Sequence, residues 1–138
     1  MTTDFKPVEV IEGDFTCGML IIADHAMRHM PTEYGRLGLP DHEFDRHIAY
    51  DIGVEGVVRH LARLTSAPAV MARYSRLLID PNRGEDDPTL VRQIYDGAVI
   101  PGNYPLYANE LHRRIETYFR PFRLAVEETA AAIEIRTG

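Results

Sequence analysis

The sequence MLIIADH at residues 19–25 is an apolar run that ends abruptly in Asp24 and His25. Gly18 precedes it, and a short apolar run with such boundaries is typical of a buried β-strand. Open α/β sheets bind their ligands at the ends of strands. We therefore expect Asp24 and His25 to lie at a ligand site, where a carboxylate and an imidazole suit zinc. The alternative, equally open, is that both residues only cap the next segment and bond to loop backbone.

A helix is predicted to follow this strand. Segment 31–40 is rich in Gly and Pro and predicts a loop, after which Asp41 can cap a helix. Apolar side chains then recur at helical spacing, at Phe44, Ile48, Ile52, Val57, Val58, Leu61 and Leu64. His47 and Asp51 are four residues apart and would share one face of this helix, where they could orient a ligand or take a proton. The alternative is an ordinary His–Asp hydrogen bond that stabilises the helix.

The rest of the chain completes an α/β pattern. Residues 69–72 and 77–79 are strand candidates, and segment 81–87 interrupts regular structure. From about Pro105 the apolar spacing predicts a long helix that bends or restarts at Pro121. Strands that alternate with helices predict a small sheet with helices on its faces. The last helix would end at Gly138, where such a domain normally adds a strand, so we expect residues 1–138 to form a single, incomplete domain.

The sequence SRLLIDPNR at residues 75–83 concentrates polar groups around one predicted strand end. Arg76, Asn82 and Arg83 place two guanidinium groups and an amide there. Arginine binds a carboxylate through a planar fork of two donors, so this stretch indicates an acidic ligand. The alternative is a solvated ion pair between arginine and Asp80.

The composition limits the classes of function. Fifteen basic and 21 acidic residues give a net charge of −6, the wrong sign for a protein that binds nucleic acid through its phosphates. No segment approaches the roughly 20 apolar residues that span a bilayer, and the start lacks the features of a secretory signal. We therefore expect a cytoplasmic protein that binds neither nucleic acid nor membrane. The single cysteine, Cys17, is predicted to be a buried structural thiol.

These segments, taken in order, resemble the N-formylglutamate amidohydrolase family. The resemblance rests on LIIADHA at residues 20–26, Pro31, HIAYDIG at residues 47–53 and SRLLIDPNR at residues 75–83. It implies a three-layer α/β/α fold with a mixed sheet, similar to zinc carboxypeptidases and aspartoacylase. It also implies hydrolysis of N-formyl-L-glutamate, or a related N-acyl amino acid, to formate and glutamate late in histidine degradation. Zinc or another divalent metal would be the cofactor. Apart from the resemblance, we expect that the protein can form a homo-oligomer.

The resemblance also implies roles for individual residues. His25 would be a metal ligand, with Asp24 where the family usually has glutamate. His47 and Asp51 would support catalysis, while Asn82 and Arg83 would bind the substrate carboxylate. Arg76 would be a second contact for the substrate or a partner of Asp51.

The resemblance leaves part of the site unassigned. In the family a further strand with a His-Ser motif follows the long helix, so we expect the remaining ligand and the general base to lie outside these residues. The alternative function is a non-catalytic domain that binds a small carboxylate.

Overall fold

The computed structural model describes residues 4–138. The strands are β1 (Val8–Ile11), β2 (Ile21–Ala23), β3 (Ala69–Ala72), β4 (Ile94–Tyr95) and β5 (Ala98–Val99). The α-helices are α1 (Val54–Thr65), α2 (Ala108–Arg114) and α3 (Arg120–Thr137), with a π-helical segment, Ile115–Phe119, between the last two. Short 3₁₀ helices lie at Thr32–Tyr34, Asp41–Asp45 and Pro101–Asn103. No helix within residues 4–138 is both long and apolar enough to cross a bilayer.

The central strand of the main sheet is β3. It pairs antiparallel with β1 and parallel with β2, so the sheet is mixed and its strand order is β1-β3-β2. All four residues of β3 are buried, which explains why its sequence is a continuous apolar run without alternation. The predicted strand at residues 69–72 is confirmed, as is a strand in the run before Asp24. The predicted α/β class with a mixed sheet is therefore confirmed.

Helices contact both faces of β3. Successive side chains of a strand point to opposite faces of its sheet. Ala69 and Met71 pack in a cluster that contains Val58 of α1, whereas Val70 and Ala72 pack in a second cluster with buried aromatic residues of the C-terminal helix. Residues of α1 and of the C-terminal helix thus pack against opposite faces of β3.

The prediction that a helix begins at Asp41 and continues to Leu64 is wrong. Helix α1 begins only at Val54, and Gly53 before it has a φ angle of +88°, which favours glycine. The earlier apolar residues belong to a separate cluster, in which Phe44 and Ile48 pack with Leu77. The apparent helical spacing therefore joined two segments that bury their side chains in different places.

The strand predicted at residues 77–79 is also wrong. The backbone turns there, with the Leu78 N–H donating to the Ser75 carbonyl at 3.0 Å. The buried Ser75 hydroxyl donates to the Ala49 carbonyl at 2.8 Å and accepts from the Leu77 N–H at 3.2 Å. Leu77, Leu78 and Ile79 are fully buried, so their apolar character reflects the core and not a strand.

Two further features were not predicted. They are strand β1 and the hairpin of β4 and β5. The turn residues of this hairpin, Asp96 and Gly97, have φ angles of +51° and +77°. An Asp-Gly pair with positive φ values is the usual turn of a two-residue hairpin, so this signal was present in the sequence. The prediction that Cys17 is buried is wrong, because the residue lies in an exposed turn before β2.

The C-terminal helix is continuous, which is one of the two forms that the sequence predicted. The π-helical turn lies directly before Pro121, which occupies the first turn of α3. Proline has no N–H to donate to the preceding turn. A wider turn at this point lets the helix pass the proline without ending.

Glu110 of α2 attaches this helix to the loop after β2. It accepts hydrogen bonds from Arg114 at 2.8 Å, the Tyr34 hydroxyl at 3.0 Å and Arg113 at 3.1 Å. Burial raises the pKa of Glu110, but the hydrogen bonds and charges of these partners outweigh burial and lower the pKa below its usual 4.5. A carboxyl with a lowered folded-state pKa stabilises the fold above its unfolded pKa and loses that contribution as the pH falls through the folded pKa.

We therefore expect Glu110→Gln to reduce stability at pH 7 by about 1 kcal/mol, because charge-assisted hydrogen bonds are lost. The difference from the wild type should shrink as the pH falls below 4.5. Urea unfolding at a series of pH values measures it, with the exposed Glu128→Gln as the control. A difference that stays constant down to pH 3 would contradict this assignment.

Candidate metal and carboxylate site

His25 lies two residues after the end of β2 and is only 6% exposed. Its Nε2–H donates to Asp80 Oδ1 at 2.6 Å. Its other ring nitrogen, Nδ1, lies 3.7 Å from Asp24 Oδ1 and 3.5 Å from Asp51 Oδ2. One side of the imidazole is thus held by a buried carboxylate, and the other side faces two further carboxylates.

Asp51 reaches this position without a helix. Its backbone N–H donates to the His25 carbonyl at 2.7 Å, and its own carbonyl accepts from the Val54 N–H at 3.2 Å. These bonds fix Asp51 between the end of β2 and the start of α1. Asp51 therefore lies beside His25, one of the residues predicted from the strand end.

His47 does not share a helical face with Asp51, and that prediction is wrong because residues 46–53 form bends and turns. Its side chain is exposed, and its ring lies 6.2 Å from the ring of Tyr95. The predicted pair is thus divided, and only Asp51 lies within contact distance of His25.

Asp80 is the central residue of the site, although the sequence analysis named it only as the partner of arginine in the alternative ion pair. Its side chain is 2% exposed. Besides the His25 bond, it accepts from the Asn82 backbone N–H at 2.9 Å and from Arg76 Nη2 at 3.3 Å. The signal that could have found it is an aspartate directly after a buried apolar run and two residues before an asparagine, a pattern that favours a turn closed by the aspartate side chain.

The hydrogen bond between His25 and Asp80 shifts the pKa of both residues. Burial lowers the pKa of His25, but the hydrogen bond and charge of Asp80, together with Asp24, outweigh burial and raise it overall. Burial raises the pKa of Asp80, but the hydrogen bonds from His25 and the Asn82 N–H outweigh burial and lower it. Asp80 therefore stays an anion at neutral pH and keeps a proton on Nε2.

The arginines predicted from the sequence border the same carboxylates. Arg76 lies between Asp51, at 3.6 Å, and Asp80, at 3.3 Å, which agrees with its predicted pairing with Asp51. Arg83 Nε is 3.7 Å from Asp80 Oδ2, and its side chain is 37% exposed. The Asn82 side chain is exposed. The guanidinium groups of Arg76 and Arg83 thus stand next to Asp51 and Asp80, with part of their surface open to solvent.

Asp24, His25 and Asp51 fit a divalent cation. Each offers one ligand atom, and these atoms all lie within 4.8 Å of one another. With the proton on Nε2, a neutral imidazole has its lone pair on Nδ1, the nitrogen that faces the two carboxylates. A histidine ligand usually donates its other ring N–H to a carboxylate, which is the role that Asp80 has here.

Two solved structures are similar to this chain. The crystal structure of gene product Atu2144 from Agrobacterium tumefaciens is similar over 95% of this chain, with a TM-score of 0.85 and 31% sequence identity. That of an N-formylglutamate amidohydrolase from Ralstonia eutropha JMP134 shares the fold over 94% of the chain, with a TM-score of 0.61 and 21% identity. The chain spans about half of each, 52% of their lengths.

Sequence comparison agrees with the structural similarity. A search of the curated proteins gave no match. A sequence model of the N-formylglutamate amidohydrolase family matches residues 17–138, a range that includes Asp24, His25, Asp51 and Asp80. The chain belongs to the N-formylglutamate amidohydrolase family.

Proposed function

We propose that this chain carries the metal-binding and carboxylate-binding residues of an amidohydrolase. The reaction is hydrolysis of the amide bond of N-formyl-L-glutamate, or of a related N-acyl amino acid, to formate or another acid and the amino acid. The observation that carries the proposal is the arrangement of His25, with Asp80 on one ring nitrogen and two carboxylates facing the other. Membership of the family supports the same reaction class.

In this proposal Asp24, His25 and Asp51 hold zinc or another divalent metal. When bound, the metal supplies Lewis-acid polarisation of the amide carbonyl. Asp80 keeps His25 in the tautomer and orientation that present Nδ1. Asp51 thereby changes from the catalytic role predicted from the sequence to that of a ligand, while a catalytic role for His47 stays a prediction.

The proposed substrate is anionic, and Arg83 is the proposed contact for its carboxylate. N-formyl-L-glutamate carries two carboxylates at neutral pH. Arg83 and the Asn82 side chain have solvent-exposed donors, whereas Arg76 is 20% exposed and is engaged by Asp51 and Asp80. We therefore assign direct binding to Arg83 and Asn82, and to Arg76 the orientation of the two aspartates.

The finer fold assignment is part of the same proposal. The contacts of α1 and the C-terminal helix with opposite faces of β3 support the three-layer α/β/α arrangement. The likeness to zinc carboxypeptidases, a role in histidine degradation and a cytoplasmic location are proposed on the family resemblance.

We expect Arg83→Met to weaken binding of N-formyl-L-glutamate to the zinc-loaded chain by at least about tenfold. An arginine–carboxylate hydrogen bond is worth about 1.5 to 3 kcal/mol, and the methionine keeps the aliphatic length of the side chain. Isothermal titration calorimetry gives the affinity, and a formate-release assay with added zinc measures hydrolysis in parallel. Arg136→Met, at the exposed end of α3, is the control.

Unchanged affinity in Arg83→Met would contradict the proposed substrate contact. Zinc-dependent formate release would support the enzyme. Equal affinity for N-formyl-L-glutamate with and without zinc, together with no formate release, would favour the alternative function as a binding domain.

A further inference from the structure

The loop that follows His25 lines a cleft whose side chains differ from those of the proposed metal site: its charged groups are basic. Its volume is about 700 Å³, within the range of small-molecule sites. Arg28, His29, Arg36 and Arg73 contribute its basic groups, and Phe5 contributes part of its apolar wall. The lining, which falls within residues 4–138, contains no aspartate or glutamate. A cleft lined by one sign of charge is unusual in a protein whose net charge is −6.

Arg73 is the central cation of this cleft. The residue is partly buried, its Nη1 donates to the Lys6 carbonyl at 2.9 Å, and its guanidinium lies 5.5 Å from the centre of the Phe5 ring. It forms no ion pair within the described part of the chain. Glu9 is near enough for its pKa to be lowered by Arg73, but its carboxylate is bound by both terminal nitrogens of Arg59, at 2.6 and 2.8 Å. The charge of Arg73 is therefore not neutralised by a bonded carboxylate.

Arg28 and Arg36 are held in place at the rim. Each forms an ion pair with an exposed aspartate, Asp45 and Asp41 respectively, and each guanidinium lies over an aromatic ring at about 5 Å. Because a guanidinium has five N–H donors, each of these arginines keeps N–H groups that can donate to a ligand. The two aspartates are 68% and 89% exposed, and solvent screens their charges.

His29 reports the potential inside the cleft. Burial lowers its pKa, and so do the charges of Arg73, Arg28 and Arg36, whereas the charge of Glu55 raises it; the pKa is lowered overall. Positive potential of this kind is focused by a concave surface and attracts anions.

We propose that this cleft binds a small molecule with a compact dianionic group, through Arg73, Arg36 and His29. Arginine suits both phosphate and carboxylate oxygens, so a phosphate ester and a dicarboxylate share the required chemistry. Met30 and Phe5 offer apolar surface to the rest of such a molecule. The cleft is separate from the proposed active site, because Asp24, His25, Asp51, Asp80 and Arg83 do not line it. It is therefore a second ligand site.

The test is calorimetric titration of the whole chain with inorganic phosphate and, separately, with succinate, at constant ionic strength and without added metal. We expect one or both to bind, and Arg73→Met to weaken that binding by about tenfold or more, because a charge-assisted contact is lost. Arg36→Gln, at the rim, should weaken it as well. Arg63→Met on α1 is the control for loss of positive charge, and circular dichroism confirms that each variant is folded.

Each outcome decides the proposal. Binding that Arg73→Met weakens assigns the cleft to phosphate esters if only phosphate shows it, and to dicarboxylates if only succinate shows it. If both anions show it, the cleft is assigned to compact dianions in general. The proposal is overturned if neither anion binds, or if Arg73→Met and Arg36→Gln bind the anions as tightly as the control Arg63→Met does.

Discussion

Changing Asp80 to asparagine is expected to weaken zinc binding by about 10- to 100-fold, the usual effect of removing the hydrogen-bond partner of a metal-binding histidine. The asparagine keeps the size of the side chain and one oxygen that can accept from His25. It removes the negative charge of Asp80, which attracts a bound metal cation. The same charge raises the basicity of the His25 imidazole. Arg76 would also face an amide in place of a carboxylate.

Competition with a chromogenic zinc chelator measures this change. The matched control is Asp86→Asn, an exposed aspartate in the loop that follows. Equal zinc affinity in Asp80→Asn and the wild type would show that the Asp80 bond to His25 is only structural. A drop in both variants would point to a general effect of net charge.

Changing Arg114 to methionine is expected to destabilise the fold by about 3 to 5 kcal/mol, the range measured when one partner of a buried charged network is removed. Arg114 is 2% exposed. It donates to the carbonyls of Leu78 at 3.0 Å and Gly102 at 3.1 Å, and to Asn103 Oδ1 at 2.7 Å. Methionine satisfies none of these acceptors, although it fills part of the same volume.

The change should also affect the proposed metal site. Arg114 bonds to the carbonyl of Leu78, two residues before Asp80, and so connects the loop that carries Asp80 to the C-terminal helix. Denaturant unfolding measures the loss. Arg113→Met, the exposed neighbour on the same helix, should cost no more than about 1 kcal/mol because its ion pairs are at the surface. Similar losses in the two variants would contradict the role given to Arg114.

The parts of the fold that the sequence predicted are those where one local pattern has one structural meaning. The all-buried strand β3 needs a continuous apolar run, and the run before Asp24 ends where the chain leaves the sheet. Both strands were predicted, and with them the position of His25. The long C-terminal helix was predicted because its apolar spacing continues past Pro121.

The errors have a common cause, which is that apolar spacing does not reveal what a side chain packs against. Phe44 and Ile48 pack with Leu77 in a cluster that is separate from the one beneath α1, and this contact joins residues about 30 positions apart. A helix through Asp51 and a strand through Leu77 were wrong for that reason. The central role of Asp80 was missed with them, because it depends on the turn that places Asp80 against His25.

The central claim is that Asp24, His25 and Asp51 hold a divalent metal, and zinc content tests it most directly. The wild-type chain, His25→Ala and the control His60→Ala, which lacks an exposed histidine of α1, would each be dialysed against buffered zinc and subjected to elemental analysis. We predict stoichiometric zinc in the wild type and in His60→Ala, and almost none in His25→Ala. A wild-type chain without zinc, or equal zinc in all three proteins, would contradict the account.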